Sequence, residues 1–301
     1  MRVTLIHNPS AGGQRASRDE LVRLLESEGH EVRYRSAKGG AWVAALAEPA
    51  DLVAVAGGDG TVARVAKQMG GAGRPLAPLP CGTANNIARA LGMAEVPLEQ
   101  VVRGWKDARR VKLDLGIASG PWGRRAFVEG IGAGLFARAL PHVDESGTID
   151  NIDRPDARVA YALQLLREDL RRCPPVPVRG TLDGDDLSGE YVMLEALSLP
   201  YVGPNLHLAP DSRPGDGWLN VVLVGPAERE RLTEDLKSWQ KEKPRLAVLP
   251  TRRGRRLVIE WTGFPLHIDD EIWPEDGVAP PAPPAKIEVR LEGSVEMLAP
   301  G

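Results

Sequence analysis

Apolar positions in the first third of the chain alternate between short unbroken runs and helical spacing. Val3 to Ile6 reads as a buried strand, and Leu21, Leu24 and Leu25 recur at the spacing of one helix face. The alternation continues with a strand over Val32 to Tyr34, a helix over Val43 to Ala47, a buried strand over Asp51 to Ala56 and a helix over Val62 to Met69. Leu76 to Leu79 follows as a strand, and Ala84 to Leu91 as a helix opened by Thr83 as its N-cap. Strands alternating with helices predict an α/β N-terminal domain on a parallel sheet, over residues 1–112.

Beyond residue 113 the rhythm changes to many short apolar runs: Val176 to Leu182, Tyr191 to Leu199, Leu219 to Val224, Leu257 to Trp261 and Ile287 to Leu291. These predict a mainly antiparallel, sandwich-like β domain over residues 113–292, with 293–301 as a tail that returns to the first domain. Two stretches with helical periodicity interrupt it, Ala157 to Arg172 and Ala227 to Lys241. Val159, Leu163, Leu166 and Leu170 share one face of the first. Pro274 to Pro284 carries five prolines and reads as an extended loop, because proline supplies no ladder donor.

Composition narrows the function classes. The 301 residues are 43% hydrophobic and 26% charged, which excludes disorder as the main state. Lys and Arg number 38 against 41 Asp and Glu, so the basic excess of a duplex-nucleic-acid binder is missing and no nucleic-acid partner is expected. No run reaches the roughly 18 apolar residues of a membrane span, and the start turns polar at His7-Asn8, too soon for a signal-peptide core. A cytoplasmic protein is expected. Cys81 and Cys173 lie far apart and lack partners at metal-ligand spacing, so neither a zinc site nor a disulfide framework is indicated.

Three loops carry the candidate chemistry. Gly57-Gly58-Asp59-Gly60-Thr61 leaves an apolar strand and opens a helix, the placement of a phosphate cradle: glycines let backbone N–H groups approach a phosphate, and the helix N-terminus adds positive dipole. Asp59 beside polyphosphate would repel it unless a divalent cation intervened, so the loop implies Mg²⁺. A tight turn capped by Asp59 is the competing reading. Asn8-Pro9-Ser10-Ala11-Gly12-Gly13 and Pro80-Cys81-Gly82-Thr83-Ala84-Asn85-Asn86 also leave carboxyl ends of expected strands, where ligands bind in open α/β sheets.

Together, Asn8 to Gly13, Gly57 to Thr61 and Pro80 to Leu91 resemble the catalytic domain of the diacylglycerol kinase and sphingosine kinase superfamily, above all its small bacterial soluble lipid kinases. Asp114-Leu115-Gly116 is similar to the family's Asp-x-Gly at the domain crossing, and Phe127 to Phe136 to its Gly-rich strand-to-helix segment, with Glu129 where Asn is commoner. Leu208-Ala209-Pro210 with Asp216-Gly217-Trp218-Leu219 is similar to the stretch that holds a structural Mg²⁺. The resemblance implies Asp216 and the backbones of Arg213 and Trp218 as metal ligands, with Gly215 where the first Asp of a pair would stand. His267-Ile268-Asp269-Asp270-Glu271 is similar to the family's Val-Asp-Gly-Glu, with Asp270 in place of the turn glycine.

The resemblance implies an ATP- and Mg²⁺-dependent kinase that transfers the γ-phosphoryl group to a lipid hydroxyl, from a cleft between two domains. Nucleotide contacts would come from Asn8, Pro9, Gly12, Ser36, Gly57, Gly58, Asp59, Gly60, Thr61, Gly82, Thr83 and Asn85, and catalysis from Asp59, Asp269 and Glu271. Glu271 would orient the acceptor hydroxyl or take its proton. An acidic solvated turn is the competing reading of residues 269–271. Peripheral contact with the inner membrane surface would bring a lipid alcohol within reach. Ala63, Arg64 and Asn86 depart from the family pattern and leave room for altered nucleotide handling. A kinase of a soluble alcohol such as a dinucleotide or polyol, and a nucleotide-binding regulator without catalysis, remain the alternatives. The Arg252, Arg253, Arg255, Arg256 cluster either meets anionic headgroups or lies in a solvated loop, and the second reading carries more weight. The five histidines lack metal-ligand spacing and are expected to be structural or exposed. Nothing in the pattern fixes an oligomeric state.

Overall fold

The computed structural model describes residues 1–13, 16–145, 151–152, 154–238, 249–275 and 282–301. The chain divides into two compact units, Met1–Asp114 with Gly293–Gly301, and Leu115–Glu292.

The first unit is built on β1 (Arg2–His7), α1 (Arg18–Ser27), β2 (Glu31–Ser36), α2 (Ala41–Ala45), β3 (Leu52–Gly57), α3 (Asp59–Met69), β4 (Leu76–Pro80), α4 (Asn86–Ala90) and α5 (Leu98–Arg103). The strands lie parallel in the order β2-β1-β3-β4, and β4 also pairs in parallel with the end of the last strand, at Met297. β3 and β4 are buried along their whole length, which is why they read as unbroken apolar runs rather than alternations. The order reverses between β1 and β3, and this defines the switch point at which open α/β sheets bind ligands.

Two elements differ from expectation at their ends. Asp51 stays outside β3: its carboxylate takes the backbone N–H of Arg2 and forms an ion pair with the Arg2 guanidinium, both at 2.8 Å. The helix expected over Ala84 to Leu91 begins two residues later, and Thr83 does not cap it. Asn85 stands there instead, in the left-handed region with φ 53°, because its side chain folds back onto Gly82.

The second unit begins within β5 (Arg109–Gly120), which hairpins with β6 (Gly123–Phe127). β7 (Gly130–Gly134), α6 (Leu135–Glu145), α7 (Pro155–Arg172), β8 (Val176–Leu182), β9 (Asp185–Asp186), β10 (Gly189–Tyr191), β11 (Met193–Leu197), β12 (Leu219–Val224) and α8 (Arg229–Ser238) follow. Then come β13 (Thr251–Gly254), β14 (Arg256–Trp261), β15 (Leu266–Ile268), β16 (Glu271–Trp273) and β17 (Ala285–Ala299). One sheet is antiparallel in the order β13-β12-β11-β7-β15-β16. A second layer pairs β10, β8, β14 and the first half of β17, also antiparallel.

Side chains of both layers share one core, including Phe127, Leu194, Leu257, Ile259 and Trp261. The first sheet is covered on its other face by α6, α7 and α8, where Phe136, Leu163, Leu166, Leu170, Leu232 and Leu236 pack on Met193, Leu197 and Val222. β11 is therefore buried on both faces, in two alternating sets. Of the helix expected over Ala227 to Lys241, residues 239–241 lie outside the described residues, as do 276–281 of the proline-rich stretch.

Candidate functional site

The three glycine-bearing loops of the first unit meet at the carboxyl edge of the sheet. The Asn8 amide donates to Thr61 Oγ1 at 3.2 Å, joining the turn after β1 to the start of α3. Cys81 N–H donates to the Gly57 carbonyl at 3.1 Å, joining the ends of β4 and β3. Glycine is required at these contacts. Gly12 has φ 55°, and a Cβ there would lie 2.1 Å from the Cys81 carbonyl oxygen; a Cβ on Gly82 would lie 2.3 Å from Gly58 Cα. Backbones thus touch where any side chain would hold them apart.

Of the expected nucleotide contacts, Asn8, Pro9, Gly12, Gly57, Gly58, Asp59, Gly60, Thr61, Gly82 and Thr83 lie in these three loops. Ser36 ends β2 directly beside His7 of β1 on the same edge. Asn85 is buried and shapes the loop: its Oδ1 accepts Gly82 N–H at 2.9 Å and its Nδ2 donates to the Gly82 carbonyl at 3.0 Å.

Asp59 opens α3 after Gly58, and its Oδ1 accepts the N–H of Ile87 in α4 at 2.9 Å. Burial raises its carboxyl pKa, against the pull of the backbone N–H groups of Ile87, Asn86 and Asn85. Arg64 is exposed on α3, while Ala63 and Asn86 are buried.

In the second unit, Asp269 and Asp270 form the turn between β15 and β16, and Glu271 begins β16 with an exposed side chain. Asp269, not Asp270, takes the left-handed conformation, with φ 51°, so an Asp at 270 meets no backbone penalty there. The Asp269 carboxylate does not face outward. It accepts the N–H groups of Val128 (3.0 Å), Glu129 (2.8 Å) and Gly130 (3.3 Å), and clamps the turn to the entry of β7. The Arg125 guanidinium lies 3.3 Å from the Glu271 carboxylate and also pairs with Glu275.

The expected metal loop has a different partner. The Asp216 carboxylate accepts the N–H groups of Trp218 (2.9 Å) and Arg213 (3.3 Å) and forms an ion pair with Arg253 at 2.9 Å. The Arg213 carbonyl accepts Asp216 N–H and the Trp218 carbonyl accepts the Asn220 amide. All three expected ligands are thus satisfied by protein donors, with one carboxylate and one guanidinium balancing charge. Arg253 supplies the counter-charge of Asp216 in this loop.

The other arginines of that cluster also have protein partners: Arg252 donates to the Asp186 carbonyl, Arg255 lies over the Trp218 ring and Arg256 pairs with Glu288. Sequence reasoning missed Arg125 as the partner of Glu271; it lies half-buried on β6 among ordinary charges, with no pattern to single it out. It also passed over Glu195, whose signal was visible as a lone carboxylate in the apolar run Met193 to Leu197.

Comparison with known proteins agrees with this architecture. Residues 2–118 match the diacylglycerol kinase catalytic domain, and residues 131–290 match the YegS C-terminal NAD kinase beta sandwich-like domain. The two matches define the lipid-kinase class. The chain belongs to the family of lipid kinases in which a diacylglycerol kinase catalytic domain is joined to a YegS-type C-terminal domain.

It is 25% identical to a diacylglycerol kinase of Mycobacterium tuberculosis strain H37Rv over 261 residues, covering 84% of this chain and 78% of that one. It is 27% identical to a diacylglycerol kinase of Bacillus subtilis strain 168 over 239 residues, 75% and 74% of the two chains. A crystal structure of a diacylglycerol kinase from Bacillus anthracis strain Sterne has the same fold, with a TM-score of 0.64 over 99% of this chain and 96% of that one at 20% identity.

Proposed function

We propose that this chain transfers the γ-phosphoryl group of ATP to the hydroxyl of a lipid, diacylglycerol or a related alcohol. One observation carries the reading: three glycine loops from β1, β3 and β4 pack backbone to backbone at the switch point of a parallel sheet.

Backbone N–H groups of residues 57–61 and 82–83, with Asn8, Pro9, Gly12 and Ser36 around them, would bind the nucleotide phosphates. Asp59 would meet the magnesium that the nucleotide carries, which neutralises charge on the phosphates when bound. Glu271 would orient the acceptor hydroxyl and receive its proton, while Asp269 positions Glu271 through the backbone. Catalysis of this kind is mostly alignment and charge neutralisation.

Among the described residues no helix is long and apolar enough to cross a membrane. Lipid would then be taken from a membrane surface by peripheral contact.

Transfer of labelled γ-phosphate to organic-extractable product, in mixed micelles of bacterial lipid with Mg²⁺, tests the reading. Label that depends on lipid and on Asp59 supports it. Label in a water-soluble product without lipid would point to a soluble alcohol, and ATP binding with no label to a regulator.

A further inference from the structure

In the second unit, three adjacent strands place Glu195 of β11, Gly132 of β7 and His267 of β15 side by side in one row, with Gly132 in register with both neighbours. The residues flanking each of them, Leu194, Ala196, Ile131, Ala133, Leu266 and Ile268, point into the sandwich core. The row itself faces the helical layer, where Phe136 lies 5.9 Å from the His267 ring.

Glycine in the middle is a requirement of the row. A Cβ at 132 would stand 2.1 Å from Glu195 Oε2, and without one the carboxylate reaches across to His267 Nε2 at 2.7 Å. Both side chains are buried, Glu195 at 0% and His267 at 2% exposure. An apolar row would fill the same layer without the cost of desolvating two polar groups. Its polarity therefore points to a task.

That task is visible at the other ring nitrogen. His267 Nδ1 lies 2.9 Å from the backbone carbonyl of Asp269. A carbonyl only accepts, so Nδ1 carries a proton and donates it, and Nε2 is the atom that faces Glu195. Asp269 is a non-glycine residue in the left-handed region and must be held there. Its N–H donates to the Gly130 carbonyl at 2.8 Å, its carboxylate takes three backbone N–H groups, and its carbonyl takes His267. Glu271 stands two residues on.

We propose that Glu195, Gly132 and His267 act together as a positioning device for the acceptor turn, Glu195 fixing the ring whose Nδ1–H holds the Asp269 carbonyl. The inference rests on the reading of Glu271 as the acceptor-binding residue.

The test uses the full chain and three readouts: steady-state transfer, hydrogen exchange at the amides of Val128, Glu129 and Gly130 against those of Val221 and Val222, and the ¹⁵N shifts of the wild-type His267 ring. His267→Gln removes the donor at the Nδ1 position. It should speed exchange at 128–130 about tenfold without altering 221–222, and lower kcat about tenfold with KM for ATP within about twofold. His267→Asn, whose amide nitrogen takes the place of Nδ1, should restore protection at 128–130. Unchanged exchange at 128–130 in His267→Gln, a uniform rise across the sheet, or no recovery in His267→Asn would overturn the device.

Should the variants not fold, the wild-type ring decides: a protonated Nδ1 throughout the folded pH range is required, and an Nδ1-deprotonated tautomer refutes it. If wild-type protein transfers no phosphate to any lipid, the kinase reading fails by itself, while the exchange and ¹⁵N results still judge the device.

Discussion

The carboxylate of Asp59 accepts the backbone N–H of Ile87 at 2.9 Å, so the residue that opens α3 also caps the start of α4. One side chain thereby serves two loops that are 28 residues apart in sequence. Structure and charge can be separated here, because an Asn keeps the accepting oxygen and loses the charge. Asp59→Asn should leave the melting temperature within about 2 °C of wild type and lower kcat by about 100-fold, while Asp59→Ala should also melt about 2–4 °C lower for the lost cap. Thermal scans and lipid phosphorylation on the same preparations check this; equal melting of the two variants would remove the capping role.

Gly82→Ala tests the packing of the loops. Its Cβ would meet Gly58 Cα at 2.3 Å and Asn85 Oδ1 at 2.8 Å, both backbone or buried atoms that have no room to yield. The variant should lose the thermal stabilisation that millimolar ATP gives wild type, a difference of about 2.7 kcal/mol when ATP stands at 100 times its Kd. An ATP-dependent shift equal to wild type would show that the nucleotide does not use this contact.

Much of this arrangement was legible in the sequence, and the limits have physical reasons. Buried parallel strands read clearly because β3 and β4 are apolar on both faces, and glycine at 12, 58 and 82 marked where backbones approach. The start of α4 read poorly because two bonds replace an ordinary cap: Asn85 folds back onto Gly82 three residues earlier, and Asp59 from another loop takes the Ile87 N–H, so Thr83 is not the N-cap. Charge partners were invisible for the same reason. Neither Arg125 with Glu271 nor Arg253 with Asp216 is a neighbour in sequence, and only the tertiary fold brings each pair together.

The loop at residues 213–218 should hold its shape without metal. Arg253 is the counter-charge of Asp216, and its guanidinium also lies 5.3 Å from the centre of the Trp218 ring. Adding magnesium or EDTA to nucleotide-free protein should leave the melting temperature unchanged. Arg253→Ala should lower it by about 2–4 °C, the loss of a half-exposed ion pair and a cation–π contact worth about 1 kcal/mol together. Magnesium-dependent stabilisation of the wild-type protein would refute this.

Glu271→Gln separates binding from turnover. The amide keeps the shape of the side chain and can still receive a hydrogen bond from the acceptor hydroxyl, but it cannot take a proton. kcat should fall by about 100-fold with KM for ATP changed less than about twofold. Arg125→Gln should have a smaller effect, because it frees the Glu271 carboxylate from an ion pair that solvent already screens. Near-normal turnover of Glu271→Gln would remove that residue from proton transfer.

Acid sensitivity should trace in part to His7. This residue ends β1, is 1% exposed, and places Nδ1 3.2 Å from the Tyr34 hydroxyl. Burial lowers its pKa below the ordinary value, and burial does the same for His30 and His207. The sign follows from proton counting. Below about pH 6.5 the unfolded chain protonates these imidazoles while the folded chain keeps them neutral, so stability is greatest above that pH and declines as pH falls, until the folded groups titrate as well. His267 works the other way: burial opposes its charge, but Glu195 and the Asp269 carbonyl outweigh burial and raise its pKa. The decline that belongs to His7 is isolated by comparing slopes. His7→Gln should lose less melting temperature than wild type between pH 7.5 and 5.5, by about 2–4 °C for each kcal/mol of linkage removed. Parallel slopes in the two proteins would show that the buried His7 ring accepts its proton without cost.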